Sequence, residues 1–397
     1  MRIAIFTPFL YPFHVDLVKV LSDITEAKIF TCGIYGNYPF EELLRHRYVE
    51  VLKCVNVVGS KTLELISLTK FAHFRPHVVI IFGIESIAGI MVYFLSRFVK
   101  AKTVVIVEEN NITIHNNFIL DYLQKLKMQI VKYIYKKAPI LIAESDASKR
   151  YVIEILHVKH NMPIIVRVHG IDTSKYLRLM STPKIQAKKE ILKLLRSPEN
   201  LLTKKWCVFI GEPSYIKGVD VLIDAIEILK ENQEINAKTI FLIPKMRLLR
   251  DREKLKERYE QKLVKLIKQG LVLLYQPVKP EYMPIFYRAT DIVVLPSRLL
   301  ANASSDRSPN VALEALASGN IVIASYTGGI PTIVGNTGIL VKPNDPHALA
   351  IALLKVLTSY EKYTYLEDKG RERAWQLLDT RQYLYDIIKV LKGSYIL

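Results

Sequence analysis

Residues 291–325 read DIVVLPSRLLANASSDRSPNVALEALASGNIVIAS, and the ends of this stretch decide what kind of fold carries it. DIVVLPS and NIVIAS are runs of Val, Ile and Leu without polar alternation, the pattern of strands covered on both faces in a parallel sheet. Between them Ser308 is placed as an N-cap, Pro309 suits the first helical position and Gly319 suits the C-terminal cap. That predicts a helix over Asn310–Ser318, and with it a strand, a loop, a helix and a second strand in parallel winding.

The same alternation continues outward in both directions. CVFIG, TIFLIP and LVLLYQ precede the stretch as strands, with VDVLIDAIEILKE, DREKLKERYEQKLVKLIKQ and EYMPIFYRAT as the helices between them, and PHALAIALLKVLTS follows it. Nearer the N-terminus RIAIFTP, AKIFTC, HVVIIFG, KTVVIVEE and PILIAES form an earlier series of the same kind. The reading is α/β with two doubly wound parallel sheets. Domains are expected at 1–180 and 204–378, with 181–203 a lysine-rich linker holding one helix and 379–397 a terminal helix that crosses back to the first domain. Ligands of open α/β sheets bind beyond the carboxyl ends of the strands, so function is sought there, in a cleft that two such domains would form.

Composition narrows the classes. At 397 residues, with 50% hydrophobic and 24% charged, the chain is a folded protein and not a disordered one. Lys and Arg outnumber Asp and Glu by 56 to 38, a net charge of +18, which favours an anionic partner without choosing among phosphorylated ligands, acidic membranes and nucleic acid. No nucleic-acid-binding module is visible, so nucleic acid is not expected as a partner. Cys32, Cys54 and Cys207 are far apart and lack histidines at ligand spacing, so neither a disulfide framework nor a zinc site is expected, and a reducing, cytoplasmic setting fits. The segment MRIAIFTPFL has no signal-peptide pattern, and the apolar run from Val78 carries Glu85, so no leader and no membrane span are expected.

The loop and helix of 306–319 carry the chemistry. Asp306 lies just before the helix and Glu314 within it, and carboxylates so placed can accept hydrogen bonds from hydroxyls at two ends of one ligand, such as a sugar and a ribose. Taken singly, each also reads as an ordinary surface carboxylate. The free N–H groups of the helix start, Ser308 to Asn310, favour an anion.

The run DRSPNVALEALASG, from Asp306 to Gly319, resembles the E-x7-E signature of family 4 of the retaining GT-B glycosyltransferases, with Asp306 in place of the first Glu. VHGIDTSKY from Val168, AESDASKRYVIEIL from Ala143, GEPSYIKGVDVLIDAI from Gly211 and TGGIPTIVGNTGILVKPNDPHALAIAL from Thr327 resemble further segments of that family, most closely over 209–353. The resemblance implies a GT-B fold and a retaining transferase for a nucleotide-diphosphate sugar. It implies Glu314 on the nucleotide ribose, Asp306 on the transferred sugar and Lys217, beside Gly211 and Gly218, on the diphosphate. The family's usual phosphate-clamping Arg is Glu212 here, which repels a diphosphate. Lys205, Lys245, Arg247 and Arg298 are candidates to replace it, Lys245 first.

The first domain is expected to take the acceptor, a glycan or lipid-linked hydroxyl. Phe13 and His14, near a strand end, and Glu109 are its candidate residues, Glu109 with an equally ordinary reading as an exposed loop carboxylate, and His115 reads as a surface residue. No cofactor and no metal are expected, because a lysine and helix amides can hold the leaving phosphate. YLQKLKMQIVKYIYKK, from Tyr122, is a basic amphipathic helix that covers the sheet or makes peripheral contact with an anionic membrane. Donor-driven closure is expected by hinge motion near 180–204 and the C-terminal crossing. A sugar-nucleotide epimerase and a non-catalytic sugar-nucleotide or glycan binder are the alternatives.

Overall fold

A computed structural model describes residues 1–33, 44–57, 60–63, 65–107, 118–159, 164–249, 252–299 and 309–392. The chain divides into two compact units, Met1–Ile171 with Thr380–Leu397, and Asp172–Asp379. It passes between them at residues 171–172 and 379–380.

In the first unit the strands are β1 (Arg2–Thr7), β2 (Glu26–Thr31), β3 (Val49–Val51), β4 (Cys54–Val57), β5 (Ser60–Leu63), β6 (Val78–Ile81), β7 (Lys102–Val107), β8 (Ile140–Ala143) and β9 (Ile165–Val166). The main sheet runs β3-β2-β1-β6-β7-β8-β9 and every pair in it is parallel. The hairpin β4-β5 stands apart from it. Successive strand residues feed opposite faces: Ile5, Ile80, Val104 and Ile142 pack on one side, Phe6, Ile81, Val105 and Ala143 on the other. Tyr383, Leu384 and Ile387 of the helix Thr380–Leu391 join the first of these cores, and Arg167 Nε lies 2.7 Å from Asp386 Oδ2.

The second unit holds β10 (Lys205–Val208), β11 (Thr239–Pro244), β12 (Val272–Tyr275), β13 (Ile292–Leu295), β14 (Ile321–Ser325) and β15 (Ile339–Val341), in the parallel order β12-β11-β10-β13-β14-β15. Cys207, Phe241, Ile292 and Ile323 face one core, while Trp206, Val208, Ile240 and Leu242 face the other.

Three expectations need correction. Residues 181–203 are not a linker. The helix Lys184–Leu195 buries Ala187, Ile191 and Leu192 in the core shared with Trp206 and Phe286, and Lys188 Nζ donates to Asp291 Oδ2 at 2.7 Å and to the Lys204 carbonyl. The hinge position expected near 180–204 falls inside the second unit for the same reason, whereas the C-terminal crossing expected with it lies where the chain passes back between the units. Cys32 and Cys54 form a disulfide, with Cα atoms 5.6 Å apart. Parallel pairing of β2 with β3 brings the chain back beside its own strand end, where the Leu52 N–H donates to the Thr31 carbonyl at 2.8 Å. That proximity is invisible in the spacing of the two cysteines.

Candidate functional site

Strand order in the second sheet reverses between β10 and β13, since the chain winds outward to β11 and β12 on one side and to β14 and β15 on the other. Loops leaving the carboxyl ends of these two neighbours border the position of the crevice in which ligands of such sheets usually bind.

The loop after β10 is Phe209–Gly218. Gly211 sits at φ +116° and Gly218 at φ +71°, where side chains beyond glycine are strained. Gly218 is further fixed by packing, because a Cβ there would lie 1.9 Å from the Pro296 carbonyl oxygen. The Arg298 N–H also donates to the Ile216 carbonyl at 2.9 Å. The two loops of the crevice are therefore in direct contact, and half-buried Lys217 is held at their junction just before the helix Val219–Leu229.

The loop after β13 leads to the helix Asn310–Ala317. The helix starts at Asn310 as expected, and Pro309, expected at the first helical position, is its N-cap, with φ −68° and ψ 113°. Gly319, at φ +66°, closes the other end as expected. Glu314 is half-buried on this helix, and its Oε2 accepts from the Tyr287 hydroxyl at 2.7 Å. Tyr287 lies on the helix Met283–Ala289 and is fully buried. Burial, then the Glu314 charge, raises its phenol well above the ordinary range, so the hydroxyl stays a donor. Asn320 secures this helix by donating from Nδ2 to the carbonyls of Tyr287 and Thr290, at 2.9 and 2.7 Å. Tyr287 escaped the sequence reading because EYMPIFYRAT reads as an ordinary helix; the available signal was a tyrosine on its apolar face just before a site strand.

The candidates to replace the missing phosphate clamp separate clearly. Arg298 is committed to buried Asp220, with Nη2 and Oδ2 2.5 Å apart, and stacks over Tyr215. Burial pushes the Asp220 carboxyl above the usual range against the pull of Arg298. Arg247 pairs with Glu253 at 2.9 Å, and Lys205 lies 3.5 Å over the Tyr360 ring. Lys245 is exposed at the end of β11, and its ammonium has no ion-pair partner among the described residues. Asp306, Ser308, Glu109 and His115 lie outside the described residues.

In the first unit Phe13 and His14 are core residues and do not present themselves to a ligand. His14 is fully buried, and its Nδ1 accepts from the Tyr11 N–H at 3.1 Å. Phe13 is stacked between His14 and His169, with ring centroids 3.9 and 4.1 Å apart, and His169 Nδ1 lies 3.0 Å from Glu144 Oε1. The helix Pro12–Ser22 turns both side chains inward to fill the space beside Phe82.

Two parallel α/β sheets of this topology, one in each unit, define a GT-B fold. Residues 204–359 match the family described as Glycosyl transferases group 1, and the chain carries a group 1 glycosyltransferase domain. D-inositol 3-phosphate glycosyltransferase of Corynebacterium efficiens is 31% identical over 163 residues, 40% of this chain and 36% of that protein. The enzyme of the same name from Corynebacterium urealyticum is 31% identical over 246 residues, 61% of this chain and 54% of that one. The matches thus span about half or less of these curated relatives. Among solved structures, Anabaena HepE in complex with UDP aligns over 99% of this chain and 100% of its own, with a TM-score of 0.75 and 17% identity. HepE has also been solved in complex with UDP-glucose.

Proposed function

We propose that the protein is a retaining glycosyltransferase that moves a hexose or related sugar from a nucleotide-diphosphate sugar to a hydroxyl of a glycan or lipid-linked acceptor. The observation that carries this reading is Glu314, held through one carboxylate oxygen by Tyr287 on a helix beside the β10–β13 crevice, inside the segment that matches the family. Glu314 is assigned to the nucleotide ribose. The HepE complexes with UDP and UDP-glucose support a nucleoside-diphosphate sugar as donor.

Departure of a nucleoside diphosphate builds negative charge on the leaving oxygen, and Lys217, Lys245 and the amide end at Pro309–Asn310 are assigned to stabilise it. This makes a metal unnecessary to the proposal. Asp306 is assigned to the transferred sugar, and the leaving phosphate itself takes the acceptor proton on the same face, which retains configuration. A cytoplasmic, peripheral membrane setting belongs to the same proposal.

The test is release of nucleoside diphosphate from a panel of nucleotide sugars with acceptor extracts present. Wild-type protein should turn over. Glu314→Gln should weaken donor binding, and Asp306→Asn should lower turnover more than nucleotide affinity. Binding without release in every combination would instead favour a non-catalytic sugar-nucleotide binder, the reading to which Glu212 lends weight.

A further inference from the structure

The helix Phe118–Lys137 covers one face of the first sheet by burying Val131, Ile134 and Tyr135. Its outer side is not the polar face such a helix needs. Tyr122, Leu126 and Tyr133 fall on one line by helical periodicity and are 61%, 51% and 54% exposed. Lys125, Lys132 and Lys136 flank that line on one side and Lys137 on the other, none with an ion-pair partner among the described residues.

The neighbouring helix Ile87–Phe98 extends the patch. Its inner residues Val92 and Tyr93 share a buried cluster with Ile134 and Tyr135, so the two helices lie side by side on the same sheet face. On the outside Phe94 and Phe98, one turn apart, are 47% and 84% exposed beside Arg97 and Lys100. No acidic residue occurs in this helix, and Asp121 is the one acid in the other.

Exposed aromatics and leucine bordered by unpaired lysines match the chemistry of a bilayer interface: rings enter the boundary between headgroups and acyl chains, and lysine stems extend towards phosphates. No helix among the described residues is long and apolar enough to cross a membrane. We propose that this two-helix face docks the protein on a lipid bilayer carrying anionic headgroups. Phe94, Phe98, Tyr122, Leu126 and Tyr133 are its apolar contacts, and Lys125, Lys132, Lys136 and Lys137 its phosphate contacts.

Co-sedimentation of the full chain with phosphatidylcholine vesicles, with and without phosphatidylglycerol, tests this. The inference rests on the membrane setting of the proposed function; the assay contains no sugar donor, so its failure would remove that setting and leave glycosyl transfer itself standing. Wild type should bind the anionic vesicles, and added salt should weaken binding. Lys125→Gln/Lys132→Gln/Lys136→Gln should reduce partitioning on the order of 100-fold. Phe94→Ser/Phe98→Ser should reduce it with the charge intact. The control Lys254→Gln/Lys265→Gln/Lys268→Gln, which removes the same charge from the other unit, should leave it nearly unchanged. Circular dichroism confirms folding of each exposed-site variant. Failure to bind, equal binding to both vesicles, or equal losses in the control and the lysine triple would overturn the assignment.

Discussion

At the scale of single residues, the site depends on how Glu314 is held. A carboxylate on an eight-residue helix has freedom about its side-chain torsions, and the buried Tyr287 hydroxyl removes it by fixing Oε2. A hydrogen bond to a charged group contributes about 1.5–3 kcal/mol where both partners are positioned, and here that energy orients the carboxylate. Tyr287→Phe keeps the ring and its edge contact with Tyr176, and deletes only the hydroxyl. It should therefore cost no more than about 1.5–3 kcal/mol of stability and weaken nucleoside diphosphate binding about tenfold. Isothermal titration with UDP, beside thermal melting of both proteins, separates the two effects. Unchanged affinity would mean that Tyr287 only fills space.

At the scale of elements, the cores explain what could and could not be read in advance. The strands were legible because a sheet covered on both faces demands unbroken Val, Ile and Phe, as in VVII of β6 and IVVL of β13. Glu314 was legible because Pro309, Asn310 and Gly319 mark the ends of its helix locally. The bond made by Tyr287 and the burial of the helix Lys184–Leu195, itself expected as a helix, were not, since each depends on tertiary partners: Glu314 for one, Trp206 and Asp291 for the other. The lysines of 184–195 conceal an apolar stripe of Ala187, Ile191 and Leu192 at helical spacing. Burial also changes the meaning of His14 in the helix Pro12–Ser22. Loss of water, then the nearby His169, lowers its folded-state pKa well below 6.5, so it is buried neutral. As pH falls through 6.5 the unfolded chain takes up a proton that the folded chain refuses, so stability is present above that pH and is lost below it. His14→Asn, which retains an acceptor for the Tyr11 N–H, should flatten that part of the pH dependence in urea unfolding; identical slopes in the two proteins would contradict it.

At the scale of the whole molecule, the two units have separate cores, and the Cys32–Cys54 bond belongs to one of them. It joins the end of β2 to the start of β4 across a sequence separation of 22. Closing a loop of that length restricts the unfolded chain by about 3 kcal/mol on the chain-entropy account. The benefit should fall on the first unit alone, because no residue of the second unit lies within the closed loop. It also depends on surroundings, since reducing compartments keep most such pairs open, and the cytoplasmic setting proposed here would withhold it. Hydrogen exchange read by mass spectrometry, with and without reductant, makes the argument local. Peptides covering β1 and β2 should exchange on the order of 100-fold faster after reduction if they open with global unfolding of their unit, whereas peptides covering β10 and β13 should not change. Cys54→Ser should reproduce the reduced pattern without reductant. Equal acceleration in both units would show that the bond stabilises them as one body; acceleration in neither would show that the bond contributes nothing to the folded first unit.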